Sequence, residues 1–415
     1  MLTLKIILVA GALMLLAEIW RSHRQQRRAT ELGAAPPELA QYPSVTVIRP
    51  IKGLDAGARQ NIEAALDHGY PGEVETLFVF DDEHEPAVPL ARTAIRHYKM
   101  RGGKDVARIV YCGPPPAGRT GKLNAMIRGL REARGVLVAF ADSDIRPGRK
   151  ALKTLVGTLL SEPGAGAAFA PVVVNRPTRT AGDAGYAMLL NGLYGPAAAA
   201  VTRNNNGALP FIMGQFMVFK REALDAIGGL QTAEGQLVDD MYIGMRVHAA
   251  GYKNVVSPRR VPVIQGGLPF KEFWSVFLRW ITFSRSGLPG REFKLISWLR
   301  GVTYWVGLAG GLIAGMAGFP LAAALLLGAP VAVAASIASL HERFGGAPLP
   351  LRHAAMAFVV FLVAPAIYAS ILFKREVSWR GRRYALGHDS RLSEGRALAA
   401  DEGLAVESGT AARAA

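Results

Sequence analysis

Residues 2–20 are apolar except for Lys5 and Glu18, a run just long enough to cross a hydrocarbon layer of about 30 Å. The polar stretch RSHRQQRR follows at 21–28. Residues 29–43, with paired prolines and small side chains, show neither a helical nor a strand period and read as a linker. From Ser44 the pattern changes. VTVIRP (45–50), VETLFVF (74–80), ARIVYC (107–112), GVLVAFA (135–141) and GAAFAPVVV (166–174) are short β-branched or apolar runs. Helix-like stretches near 56–68, 86–100, 121–133 and 149–160 separate them. Strand alternating with helix is the sequence form of a parallel α/β sheet. Ligands of such sheets sit beyond the carboxyl ends of the strands, which directs attention to the residues after Phe80 and Ala141.

Further along, KEFWSVFLRWITFSR (271–285) predicts a helix with Phe, Trp and Leu on one side and basic residues on another, suited to a membrane interface. Between Arg300 and Glu342 there is no Asp, Glu, Lys or Arg, which at about 1.5 Å per residue is length for two crossings. Residues 353–373 supply another. GLAGGLIAGMAG (307–318) carries GxxxG spacing, which packs helices closely but also arises by chance in Gly- and Ala-rich sequence. KREVSWRGRR (374–383) returns to strong positive charge, and 389–415 has the composition of a disordered tail. Three full crossings would put that basic tail opposite the sheet region, against the charge rule. One of the two segments within 302–340 is therefore expected to be re-entrant.

Composition narrows the class. The chain has 415 residues, room for two or three folded units; half are hydrophobic and 19% charged, more apolar than a soluble domain. Lys plus Arg number 48 against 32 Asp plus Glu, a net charge of +16. Beside long apolar runs such an excess marks cytoplasmic flanks and an anionic membrane surface. Arg21, Arg24, Arg27 and Arg28 follow the first apolar run instead of preceding it, so an uncleaved anchor with its C-terminal side in the cytoplasm is expected. The abundance of Ala, Arg and Gly suggests a bacterial source, and hence a multi-pass protein of the inner membrane. The single Cys112 excludes an internal disulfide and a cysteine-cluster zinc site, and the eight histidines show no HExxH spacing.

Several carboxylates fall where chemistry is expected. Asp81 and Asp82 follow the strand ending at Phe80; solvated turn formers are the alternative. Asp142 and Asp144 follow the strand ending at Ala141, and two carboxylates one residue apart at a strand terminus can share a hard divalent cation that keeps sites open for a diphosphate. A turn with Asp144 capping the next helix would use the same residues. GRTGKLNAM (118–126) resembles a phosphate loop, but Pro116 stands where the first Walker glycine belongs and Leu123 where its Ser or Thr belongs. Lys122 at a helix start could still meet a nucleotide phosphate. Asp239 and Asp240 open an amphipathic helix, where acidic residues stabilise the first turn and where one of them could also act as a general base.

The order of these elements is more specific than any one of them. Asp-Asp after the second strand, a GK-L-N loop, DSD after the fourth strand, FIMGQFMVFKREALDAIGGL, VDD and LRW together resemble the family 2 glycosyltransferases. Within that group the chain looks most like the ceramide glucosyltransferases of family 21, over residues 1–385. The resemblance implies a nucleotide-sugar-binding GT-A (Rossmann-like) α/β domain with N- and C-terminal transmembrane helices. It divides the chain into an anchor with basic flank (1–28), linker (29–43), catalytic domain (44–268), interfacial helices with the LRW element (269–300), membrane segments (301–373) and a basic, then disordered tail (374–415).

By the same resemblance, Asp82 with Asp81 contacts the nucleotide base, Lys122 and Asn124 form the phosphate-side loop, and Asp142 and Asp144 form the DxD element that holds Mn2+ or Mg2+. Asp240 deprotonates the acceptor hydroxyl, with Asp239 the alternative. Arg279 and Trp280 end a (Q/R)xxRW element whose first position here is Val276. The implied reaction is inverting transfer of one sugar, glucose first, from a UDP-sugar to a ceramide-like membrane lipid on the cytoplasmic face. A processive polysaccharide synthase, or transfer of another hexose to diacylglycerol or a hopanoid, would use the same site. Binding to nucleic acid without catalysis is disfavoured, because the clustered carboxylates repel phosphate.

Overall fold

The computed structural model describes residues 2–31, 33–287, 305–371, 376–387 and 391–392. The expectations for 288–300 and 393–415 lie outside the described residues. Helix α1 (Leu2–Ala29) continues through the basic flank. The linker 33–44 then leads into an eight-stranded sheet. Strands β1 (Val45–Pro50), β2 (Val74–Phe80), β3 (Val106–Tyr111) and β4 (Leu137–Ala141) are the runs expected from sequence, and they pair in parallel in the order β3-β2-β1-β4. Between them lie α2 (Ala58–Ala64), α3 (Val88–Met100) and α4 (Gly121–Glu132). The nearly unbroken burial of β1, β2 and β4 is what a sheet covered on both faces requires.

Past β4 the sheet is mixed instead of purely parallel. Helix α5 (Ala151–Ser161) leads to β5 (Ala165–Phe169) and the short β6 (Val172–Val173). Helix α6 (Ala181–Ala187), a π-helical turn (Met188–Tyr194), α7 (Gly195–Asn204) and β7 (Ala208–Leu209) follow. Strand β8 (Phe216–Lys220) inserts antiparallel between β4 and β5. After α8 (Arg221–Ala226) and α9 (Asp239–Ala249), β9 (Lys253–Val256) pairs with β5 and β7, and β10 (Val261–Pro262) pairs with β6. Because β8 runs against its neighbours, Ala141 at the end of β4 faces Phe216 at the start of β8. The residues before β8 therefore join those after β1, β2 and β4 at one edge. That edge also receives the start of α4, which returns from β3.

Helix α10 (Phe270–Gly287) packs its Phe273, Phe277 and Ile281 into the core beside α6. Helices α11 (Trp305–Met316) and α12 (Pro320–Arg343) are antiparallel: a Cβ at Gly307 would meet Pro330, one at Gly311 would meet Leu327, and one at Gly315 lies 3.7 Å from Ala323. The Gly spacing is thus a packing face. Helix α1 runs parallel to α12, with Lys5 over the Phe319 ring and His23 bonded to Ser336. Both α1 and α12 are long and apolar enough to cross a membrane. The end of α12 docks on the sheet domain, where His341 Nδ1 lies 3.2 Å from Asn191 Nδ2 in the π-helical turn.

The short α13 (Leu351–Ala354) and α14 (Met356–Ile371) follow. His353 is bonded to Thr178, and Met356, Ala357, Val360, Phe361 and Ile367 enter the core that contains the sheet. This last apolar stretch touches both the sheet domain and α12, while α11 and α12 pair with one another. Helix α14 packs against α12 as well as against α10, α6 and the π-helical turn. Strands β11 (Glu376–Trp379) and β12 (Arg382–Ala385) then form a hairpin whose turn residues, Arg380 and Gly381, both have positive φ. The basic tail thereby returns to the loaded edge of the sheet.

Candidate active site

Arg49, the last side chain but one of β1, is 1% exposed and lies beneath the DSD loop. It donates to the carbonyls of Ile145 (2.5 Å) and Ser143 (3.3 Å), and Asn61 donates to Ser143 as well. Burial lowers its pKa to about 10, a loss opposed by Asp144, Asp142 and Asp55. The loop is thus fixed from below by a cation. Above it, Ser143 Oγ donates to Asp55 (2.5 Å), and Asp142 receives Lys122 at 2.6 Å. Asp144 is different: its Oδ1 is buried and has no hydrogen-bond partner among the described residues. Burial, with Asp142 and Asp55 nearby, pushes its carboxyl up to about 6.

Helices α4 and α9 meet across this loop. Thr120 caps α4 by accepting from Leu123 N, and its hydroxyl donates to Asp239 at 3.3 Å. Lys122, on the first turn, also donates to Gly214 O. Burial alone would lower its pKa, yet Asp142, Asp239 and Asp240 hold it above the usual lysine range. Asp239 is 3% exposed and accepts from Asp240 N; burial raises its carboxyl to about 6 against the pull of Lys122. Asp240 is raised by burial as well. Its Oδ2 accepts from Gly214 N at 2.6 Å and its Oδ1 from Met241 N at 2.8 Å. A Cβ at position 214 would overlap that carboxylate, so the backbone can come this close only at a glycine.

The Asp81–Asp82 pair divides. Asp81 faces inward, accepting from Arg382 at 2.5 Å and pairing with Lys52 at 2.8 Å. Asp82 is exposed and accepts from the His84 amide, closing a turn. Asn124 braces the adjoining loop: its amide donates to Gly113 O, and its oxygen accepts from Arg119. Cys112 lies behind Asp81, and burial with that charge raises its thiol to about 11.

Helix α10 closes one side. Trp280 packs edge-on against Tyr186 and Tyr194, with ring centres 5.3 and 5.5 Å away. Arg279 is lowered by burial and by Arg380, while Tyr186 and Asp144 act the other way. Tyr186 is raised by burial, then by Asp144. Opposite stands the hairpin. Arg380 pairs with Asp55, and Asp55, Asp144 and Asp142 hold its pKa up despite burial. Trp379 packs on Phe283 of α10.

Every carboxylate singled out from sequence except Asp82 therefore lies in one polar cluster. Arg49, Lys52, Asp55, Tyr186, Arg380 and Arg382 were not singled out. Arg49 was signalled by a lone charge inside an apolar strand, and the hairpin by Val377 and Trp379 alternating toward an Arg-Gly turn.

The cluster can bind an anionic ligand through Lys122, Arg279 and Arg380 and accept a proton at Asp240. No group of three or more acidic, His or Cys side chains forms a metal cage among the described residues. The buried Asp144 Oδ1, with Asp142 two residues before it, fits an oxygen-preferring cation.

The sequence profile of glycosyl transferase family 21 matches residues 3–392. Ceramide glucosyltransferase 3 of Caenorhabditis elegans is 24% identical over 257 residues, which is 61% of this chain and 53% of that protein. Ceramide glucosyltransferase 1 of the same species is 25% identical over 249 residues, 60% of this chain and 51% of that protein. The chain thus spans about half the length of these curated relatives. In fold it is similar to the mannosyltransferase PcManGT from Pyrobaculum calidifontis, solved in complex with GDP-Man and Mn2+. The TM-score is 0.51 at 20% identity, covering 86% of this chain and 99% of that one. The mixed sheet is that of the GT-A fold.

Proposed function

The chain belongs to glycosyl transferase family 21, and from that premise we propose that it transfers one sugar, with inversion, from a UDP-sugar to a lipid hydroxyl at the membrane. UDP-glucose is the donor and a ceramide-like lipid the acceptor. One observation carries this reading. Helix α10, which brings Arg279 and Trp280 to the carboxylates, is packed on the apolar α14, so the wall of the polar site is continuous with the apolar layer.

In this mechanism Asp81, with Lys52 and Arg382 around it, holds the uridine end of the donor. Lys122, Arg380 and Arg279 face the diphosphate. Mn2+ or Mg2+, held by Asp144 and Asp142, would supply charge neutralisation for the departing diphosphate. Asp240 is oriented by Gly214 N and Met241 N, and burial brings its basicity nearer to neutral pH. It takes the proton of the acceptor hydroxyl as that oxygen bonds to the anomeric carbon. The bond from that carbon to the phosphate oxygen breaks on the opposite side, its electron pair leaves with UDP, and the configuration inverts.

The same reading places the protein in the inner membrane, with the sheet domain cytoplasmic. Helices α1 and α12 cross in the same direction and α14 lies at the interface, so the basic tail and the site share one side, in accord with the charge rule. Expression in a host that makes ceramide but no glycosylceramide tests the reading. Lipid extracts should gain a monohexosyl lipid with wild type and none with Asp240→Asn; no new glycolipid with either chain would overturn it.

A further inference from the structure

Where the apolar stretch of α1 ends, Trp20, Arg24 and Arg28 fall in one row of the helix, and Arg21 and Gln25 in the next. This face looks onto the end of α7, and with Arg203 and Asn204 it lines a cavity of about 590 Å³. None of these residues belongs to the carboxylate cluster, and the charge is of opposite sign. Arg203 donates to the Arg28 carbonyl at 2.8 Å, tying the sheet domain to the anchor. Arg24 stacks over Trp20 at 4.5 Å, and that indole is 59% exposed. Arg21 pairs with Glu18 at 2.7 Å, and no carboxylate is among the lining residues.

We infer that this cavity binds the phosphodiester headgroup of an anionic phospholipid, which bridges the anchor helix and α7. Guanidinium groups offer paired N–H donors matched to phosphate oxygens. An exposed Trp at the end of an apolar helix lies at headgroup depth. Juxtamembrane arginines attract anionic lipid in any case; what distinguishes a site is Arg203, which comes from the sheet domain and completes a concave face. The inference rests on the reading of α1 as a membrane helix, and on neither the donor nor the acceptor of the reaction.

The test uses the full chain in nanodiscs of mixed phosphatidylcholine and phosphatidylglycerol, released into native mass spectrometry, where bound lipids are counted without any turnover. Wild type should retain one phosphatidylglycerol in preference to phosphatidylcholine. Arg24→Gln and Arg203→Gln should each lower that retention about tenfold, as loss of a charge-assisted hydrogen bond would. Arg24→Gln leaves the tie between Arg203 and Arg28 in place, so its loss of binding cannot come from undocking. Arg27→Gln removes the same charge from the same turn but lies outside the cavity, and should retain the lipid; so should Asp240→Asn, whatever its activity. Equal retention of both lipids, or an Arg27→Gln loss as large as that of Arg203→Gln, would overturn the inference in favour of diffuse attraction. Binding of inorganic phosphate in detergent as tight as that of short-chain phosphatidylglycerol would overturn it in favour of a free anion.

Discussion

Replacing Asp239 by Asn should stabilise the folded protein at neutral pH and leave it unchanged in acid. Asp239 is buried, and burial holds its carboxyl at about 6 in place of 3.8, even with Lys122 acting in the opposite sense. Between those two values the folded state keeps a proton that the unfolded state has lost. Stability therefore falls as pH rises through that window and stays low above it. At about 1.4 kcal/mol for each pH unit, the interval from 3.8 to about 6 amounts to about 3 kcal/mol. Asn has the same shape, can accept from Asp240 N and meet the Thr120 hydroxyl, and carries no charge at any pH. The assay is the thermal unfolding midpoint of the purified full chain in detergent, followed by intrinsic fluorescence from pH 4 to 8 without divalent ions. The two chains should coincide near pH 4, diverge through the window, and differ by several degrees at pH 8 with the variant ahead. A variant less stable at pH 8, or a gap that does not change with pH, would refute the reasoning: Lys122 would then be offsetting the buried charge in full.

Asp144→Ala should remove activity together with its dependence on divalent metal, measured as UDP release with and without chelator; an unchanged metal response would make the DSD loop a turn and nothing more. Asp240→Asn should lower turnover by about 10² to 10⁴ while UDP-sugar binding, read by calorimetry, persists. Wild-type turnover in that variant would shift the base to Asp239. Arg380→Asn, chosen because Asn tolerates the left-handed backbone at that turn, should raise the donor KM about tenfold with a smaller change in kcat, as loss of one charged diphosphate contact requires. An unaltered KM would remove the hairpin from the donor site.

Much of the parallel half of the sheet could be read from the chain, because each of its strands is a local apolar run and its helices separate those runs. The rule that ligands gather at strand ends then located Asp81, Asp142 and Asp144. The antiparallel β8 escaped that reading, since nothing local in FMVFK says which neighbours it will join or in which direction. Arg380 and Arg382 escaped it for a related reason. A run of positive charge shows that a segment avoids the membrane interior, but not which carboxylates it meets after α14 has turned it back. Helix α14 itself shows the limit of hydropathy: an apolar run of that length serves equally as a crossing or as core, and its packing of Val360 and Ile367 beside the sheet is a tertiary contact that no local pattern announces. The resemblance gives the base contact to Asp82 with Asp81 beside it; adjacent residues after a strand point to opposite sides, and here it is Asp81 that meets Lys52 and Arg382 while Asp82 accepts from the His84 amide.

The central claim is that one sugar passes with inversion to a lipid that stays in the membrane. Its most direct measurement is the structure of the product made by the purified chain in nanodiscs containing ceramide and supplied with UDP-glucose and Mn2+. Nuclear magnetic resonance and mass spectrometry of the extracted lipid should show a single hexose in β linkage. An α linkage, a ladder of longer saccharides, or a product found only on a water-soluble acceptor would contradict the account.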